Sequence, residues 1–219
     1  MKRILVILIA IFAFSLSADA QLIRVNGYES ILNPKDKEEV PADLKLIQYK
    51  KYLTKDYKPA YVDDFKQIAY LRYNIHEDQM EFTKDNQVYY LKKDIGRQVR
   101  FTNKSTYKVY GFKGEPQFFL VHENGKNSLI AKQIVKFSES QEPLSGYDRG
   151  KPADYKRRKD ELYLALQNKG LVKVPTKKKI FYNIFGDHAS TMKTYMKKNK
   201  LSYKKVDDLK KAVAHFNTL

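Results

Sequence analysis

The chain contains no cysteine and no tryptophan. The first absence excludes a disulfide-stapled scaffold, a thiolate metal site, a cysteine nucleophile and a lipid-modified cysteine at an export cleavage site. The fold must be held by packing and hydrogen bonds alone, which argues against a eukaryotic extracellular module. Glycine is scarce as well, at 9 of 219 residues, and forms neither a phosphate-binding glycine-rich loop nor a Gly-x-Ser-x-Gly elbow. There is no His-Glu-x-x-His. Only four histidines occur, His76, His122, His188 and His215, and no two have metal-ligand spacing. No metal and no cofactor is expected. The balance of abundant Lys, Tyr, Phe, Ile and Asn against little Gly matches the usage of an AT-rich bacterial genome.

Long apolar runs are missing too, with one exception at the start. Lys2 and Arg3 precede an unbroken apolar stretch over 4–14, then Ser15-Leu16-Ser17 and the small-residue triplet Ala18-Asp19-Ala20. That order reads as a secretory signal peptide over 1–20, cut after Ala20. The run is shorter than the roughly 20 residues a bilayer span requires. An uncleaved anchor would have no need of the Ala-x-Ala spacing. The mature chain is therefore expected to begin near Gln21, without a transmembrane anchor, in the periplasm or at the cell surface. Loss of Lys2, Arg3 and Asp19 changes the formal charge from +17 to +16. The remaining length suits one domain with a packed core.

Residues 21–66 read as irregular, broken by Asn33-Pro34, Val40-Pro41 and Lys58-Pro59. From Gln67 the texture turns to alternation, with Ala69, Leu71, Tyr73 and Ile75 on one face and Tyr70, Arg72 and Asn74 on the other. Further strands are predicted over 79–83, 87–91, 97–101, 106–112, 117–123 and 128–137. Turn signals sit between them, among them His76-Glu77-Asp78, Lys84-Asp85-Asn86, residues 111–114 and Asn124-Gly125. Strands so closely spaced must be mostly antiparallel. The sheet segment over 21–137 is thus an antiparallel meander, a curved sheet or an incomplete barrel.

Residues 138–159 lose their period and gain Gly, Pro and charge, as a flexible loop does. Within 160–219, residues 161–167 and 171–174 suggest a hairpin around Asn168-Lys169-Gly170, although the stretch before Asn168 also fits a helix. A helical period follows. Ile180, Phe181, Ile184 and Phe185 form a stripe closed by Gly186. Asp187 is placed to cap a helix carrying Met192, Tyr195 and Met196, and Ser202 one carrying Val206, Leu209, Val213 and Phe216. The fold class is α+β, a meander followed by about three short C-terminal helices.

The run Ala69-Tyr70-Leu71-Arg72-Tyr73-Asn74, with Asp78-Gln79-Met80-Glu81-Phe82 after it and the lysine-rich tail over 195–201, resembles small exported proteins of unknown function from Bacteroidetes. The likeness spans 50–137 and 160–218. It implies lineage and compartment, and brings no catalytic residue with it.

Three residue groups remain to be assigned. The acids Glu77, Asp78, Glu81, Asp63 and Asp64 are the candidates for a pair of hydrolytic carboxylates, but adjacent acids in turns usually meet water. Glu81, flanked by Met80 and Phe82 on a strand, takes the solvated side. The tyrosines, Tyr49, Tyr52, Tyr57, Tyr61, Tyr70, Tyr73, Tyr89, Tyr90, Tyr107 and Tyr110, gather before and within the sheet. On an outer face, Tyr70 and Tyr90 could dock a sugar or a protein, whereas alternating strand tyrosines more often pack the sheet.

The charge is concentrated late, with twelve lysines against three aspartates over 171–219, a net +9. Such a surface attracts an anionic glycolipid or an acidic protein face. Lys177, Lys178, Lys179, Lys197, Lys198, Lys200, Lys204 and Lys205 are the binding candidates. Lysine lacks the guanidinium fork, so the attraction should be salt-sensitive. The same residues also serve a solvated helix that keeps the protein soluble. Export and the lack of an RNA-recognition signature argue against nucleic acid. The resulting expectation is a non-catalytic exported envelope protein, an interaction or accessory subunit contacting an envelope protein or anionic glycolipid. The competing expectations are a small periplasmic hydrolase and a carrier of an apolar ligand between sheet and helices.

Overall fold

The computed structural model describes residues 32–34, 40–63, 68–84, 87–143 and 149–219. The signal peptide over 1–20, the start at Gln21, Asp64 and the turn residues Asp85 and Asn86 lie outside the described residues. In chain order the strands are β1 (Leu32–Pro34), β2 (Lys58–Val62), β3 (Ala69–Asn74), β4 (Gln79–Lys84), β5 (Gln87–Leu91), β6 (Gln98–Phe101), β7 (Thr106–Phe112), β8 (Glu115–Glu123), β9 (Ser128–Lys132), β10 (Val135–Ser138), β11 (Asp154–Arg157), β12 (Glu161–Leu166) and β13 (Gly170–Lys173). Helix α1 (Ala42–Lys45) and a 3-10 turn (Gln48–Lys51) precede β2, while α2 (Lys178–Asn183), α3 (Ala189–Lys198) and α4 (Val206–Phe216) follow β13. The class is α+β.

Eleven strands form one antiparallel sheet in the order β1-β5-β4-β3-β2-β6-β7-β8-β9-β12-β13, and β10 with β11 makes a separate ribbon. Local chemistry dictates the hairpins. Phe112 faces Glu115 across Lys113 and Gly114, which have φ of 54° and 89°. A two-residue loop with both φ positive matches the right-handed strand twist.

The sheet curls without closing. Tyr73 on β3 packs its ring 5.0 Å from Tyr107 on β7 and 6.1 Å from Phe118 on β8, so strands well separated in the order meet across the concave face. Leu71, Met80, Val99 and Val109 complete that buried surface. Strand β9 is buried on both faces, which explains its unbroken apolar run. Leu129 joins Leu164 under the helices, against Phe181, Phe185, Met192, Met196, Leu209 and Val213. Its neighbour Ile130 turns to the other face, with Phe119 and Tyr163.

Several expectations require correction. Residues 40–63 are not simply irregular, because they hold α1, the 3-10 turn and the central strand β2. Pro59 is tolerated there because the β2–β6 ladder runs only from Ala60 to Val62. Its carbonyl still accepts from the Thr102 N–H at 3.1 Å, and the missing N–H thins only a frayed end. The strand expected over 128–137 breaks at Gln133, which is buried to accept the Tyr107 hydroxyl at 2.8 Å. The loop expected over 138–159 contains β11, paired to β10, and a bridge from Gln141 to Lys151. Residues 144–148 of that loop lie outside the described residues.

The hairpin β12–β13 forms, with β12 paired to β9. In the helices, Ile180 is 50% exposed and leaves the stripe to Phe181, Tyr182, Ile184 and Phe185. Gly186 has the left-handed φ of 58° expected of it. Asp187 and Ser202 do not cap: the N-cap positions of α3 and α4 are His188 and Lys205, neither with a side-chain cap bond. Instead Asp208, within the first turn of α4, accepts from the Ser202 N–H at 2.9 Å.

The end of α4 is fastened to the sheet by one amide. Asn217 Oδ1 accepts from the Asn127 N–H and Nδ2 at 2.9 and 3.1 Å, and its Nδ2 donates to the Asn127 carbonyl at 2.9 Å. A Cβ at Gly125 would run into that amide. Gly125→Ala is expected to displace Asn217 and cost about 1–2 kcal/mol, read from thermal melting. Asn217→Ala should cost about the same, with the double variant no worse than either alone.

Candidate functional site

Gly186 reverses the chain between α2 and α3, so that the two helices pack together. On α2, Lys178 and Tyr182, and Lys179 with Tyr182 and Asn183, lie three or four residues apart and so on adjoining rows of one side, as do Ala189, Ser190 and Lys193 on α3. These residues line an open cleft of about 520 Å³. The lysines are exposed, and none of the three has a carboxylate partner among the described residues. Tyr182 is 9% exposed. Burial, and then the neighbouring Tyr203, raise its phenol pKa.

The charge placement runs against helix electrostatics. Lys177 is the N-cap of α2, Lys178 and Lys179 follow it, and the first turn has no acid. A cation at that end opposes the helix dipole by about 0.3–1 kcal/mol. Lys205 occupies the N-cap of α4, but there Asp207 and Asp208 in the first turn offset its charge.

The other lysines singled out by sequence sit nearby in the chain but line no part of the α2–α3 cleft. Lys197 and Lys198 complement the C-terminal dipole of α3. Lys200 adopts φ of 54° as the left-handed residue of a helix stop, in which the Leu201 N–H donates to the Met196 carbonyl at 2.8 Å. Lys204 and Lys205 precede α4 and are exposed. The structure thus brings Lys178 and Lys179 together with Lys193, which sequence reasoning missed. The spacing of Ser190 and Lys193 on α3 was the available signal.

The two tyrosines part company. Tyr70 lies 58% exposed on the outer face of β3. Tyr90 is half-buried, and its hydroxyl donates to Glu77 Oε2 at 2.7 Å. Burial, reinforced by the bond to Glu77, pushes its pKa far up. It belongs to a buried charge network and not to an open binding face.

That network is the second constellation. Glu81 is 1% exposed, against the expectation of a solvated position. Its Oε2 accepts from Arg72 Nε and NH2 at 3.2 and 2.5 Å, and its Oε1 from the Tyr52 hydroxyl at 3.3 Å. The Arg72 guanidinium lies 3.7 and 4.6 Å from the Tyr52 and Tyr57 ring centroids. Burial lowers the Arg72 pKa, but the bond to Glu81 and the charge of Glu81, with the neighbouring tyrosines, together outweigh it and the net shift is upward. Lys51, itself buried, donates to Glu77 Oε1 at 3.0 Å.

Asp78, at φ of 55°, accepts from the Tyr73 hydroxyl and Lys132 Nζ on Oδ1 at 2.7 and 2.6 Å. On Oδ2 it accepts from Lys93 Nζ and the Phe118 N–H at 3.3 and 3.2 Å. Burial lowers the Lys132 pKa, with Asp78 opposing. These carboxylates are matched by cations and hydroxyls, an arrangement that ties the β3–β4 turn to β8 and β9. Among the described residues no three His, Asp or Glu side chains are grouped to hold a metal. The chain matches no family model, no curated protein and no solved structure.

Proposed function

We propose that this is a non-catalytic exported protein of a bacterial envelope, which binds an anionic glycolipid against the lysine-covered face of its helical layer. The observation that carries the reading is the cluster of exposed lysines at the starts of α2 and α4 and along α3, which at the start of α2 stand with no acid in the first turn, where they cost stability. Export and lineage rest on the character of residues 1–20 and on the resemblance of 50–137 and 160–218. No helix among the described residues is long and apolar enough to cross a membrane.

The competing readings find less support. The candidate hydrolytic acids Glu77, Asp78 and Glu81 are each engaged by a Lys or Arg. Between sheet and helices, Leu129, Leu164, Phe181, Met192 and Leu209 are fully buried and pack into one core cluster, as a filled interior does.

The test is cosedimentation of the chain from Gln21 with phosphatidylcholine vesicles, with and without an anionic glycolipid. Binding should require the glycolipid and fall steeply with salt. Each basic residue near an anionic surface contributes on the order of 1 kcal/mol. Reversing Lys197, Lys198, Lys204 and Lys205 to Glu should therefore weaken binding by about a hundredfold or more. Equal binding to neutral vesicles, or indifference to salt, would overturn the reading. Capture of an acidic envelope protein in place of the glycolipid would move the partner to that class.

A further inference from the structure

Resting on that reading, we infer that the cleft between α2 and α3 is a binding site for a phosphate monoester carried on a sugar-sized body. Every polar side chain lining it can donate: Lys178, Lys179 and Lys193 carry charge, and Tyr182, Asn183 and Ser190 supply neutral donors. No carboxylate lines it. Ser190 lies in the first turn of α3, whose N-cap residue makes no side-chain cap bond; the Ala189 N–H is already given to the Gly186 carbonyl.

Tyr182 supplies the independent observation. The residue is nine-tenths buried, and its hydroxyl has no hydrogen-bond partner among the described residues. Among the described residues no sealed side-chain oxygen or nitrogen lacks a partner. The hydroxyl must therefore reach open space, and the cleft is the space that Tyr182 lines. A rigid phenol held with its donor unused and three ammonium groups beside it is a preorganised anion site.

The charge count selects the ligand. A phosphate monoester carries about −1.5 to −2 at neutral pH and offers three strong acceptor oxygens. It matches three lysines and neutral hydroxyl and amide donors better than a singly charged sulfate or carboxylate does. Lysine recognises phosphate as a point charge, so a broad, open cleft suits it where a bidentate arginine fork would not be needed. The volume, about 520 Å³, falls within the range of small-molecule sites and exceeds what a bare phosphate fills. The ring of Tyr182, Ala189 and the lysine methylenes give the sugar body its apolar contact.

Isothermal titration of the full mature chain with a hexose 6-phosphate, the unphosphorylated hexose, a hexose sulfate and inorganic phosphate tests the assignment. The hexose phosphate should bind, the hexose should not, and sulfate should be weaker. Tyr182→Phe keeps the packed ring and removes only the donor; it should weaken binding about tenfold, as should Lys193→Met. Lys136→Met, an exposed charge on β10 outside the cleft, should change affinity by less than about twofold. Displacement of the chain from glycolipid vesicles by free hexose phosphate identifies a lipid headgroup as the source. Titration without vesicle binding identifies a soluble sugar phosphate.

Equal loss from Lys136→Met and Lys193→Met would overturn the cleft, as would equal affinity for sulfate and phosphate. If vesicles bind but hexose phosphate and Tyr182→Phe have no effect, the cleft assignment fails and the basic-face reading survives. If neither vesicles nor hexose phosphate bind, both fail.

Discussion

Asp78→Ala should destabilise the protein by about 3–5 kcal/mol, the range for removing one partner from a buried ion pair. The aspartate is 14% exposed, and the ammonium groups of Lys93 and Lys132 that it neutralises are 19% and 13% exposed. Removing the carboxylate leaves both cations in a partly desolvated site and deprives the Tyr73 hydroxyl and the Phe118 N–H of their acceptor. The loss is also topological. Asp78 holds the tip of the β3–β4 hairpin against the edge of β8 where it parts from β9, so the curl of the sheet depends on it. Asp78→Asn keeps the tolerance for positive φ and one acceptor oxygen, and should cost less than alanine. Urea unfolding supplies the measurement, through the shift in midpoint at constant slope. A loss below about 1 kcal/mol would show that the lysines find solvent easily and that the clamp is incidental.

Glu81→Leu should cost a similar amount, about 3–5 kcal/mol, because it strands the Arg72 guanidinium between two tyrosine rings. The reverse variant, Arg72→Met, leaves a carboxylate that is 1% exposed without its cation. Removing both is expected to cost far less than the two losses added together, since a buried pair replaced by apolar groups of similar volume is often close to neutral. A double-mutant cycle should give a coupling of about 2 kcal/mol or more. Simple additivity would mean that Arg72 and Glu81 act independently and that the buried geometry carries no energetic link.

The contrast between these acids and the lysines bears on function. Buried Glu81 and half-buried Glu77 and Asp78 are each matched locally, so these acids serve the fold. Lys178, Lys179 and Lys193 form no ion pair among the described residues, and Lys177 to Lys179 oppose the dipole of α2. An unsatisfied charge on the surface is available to a ligand in a way that a buried, paired one is not.

Short-range patterning decided more of this protein than its Lys-rich, Cys-free composition suggests. Alternation over 69–75 placed Leu71 and Tyr73 inward and Tyr70 outward, as β3 does. The period near 3.6 located three C-terminal helices, and glycine at position 186 marked a reversal that has the required positive φ. These signals are local because they reflect which neighbours a backbone conformation brings onto one face.

What covers each face was decided by tertiary structure alone. Alternation put Glu81 on the polar side of β4, and so it is, but the segment carrying Tyr52 and Tyr57 folds over that side and buries it. Tyr90 is half-buried with its hydroxyl given to Glu77, and the pairing of β10 with β11 orders part of a stretch whose own sequence shows no period. The cleft arises the same way, from two helices whose basic faces meet only after the turn at Gly186. A residue's face follows from its immediate neighbours along the chain, whereas its burial follows from whichever distant segment settles on that face, and no local pattern encodes that choice.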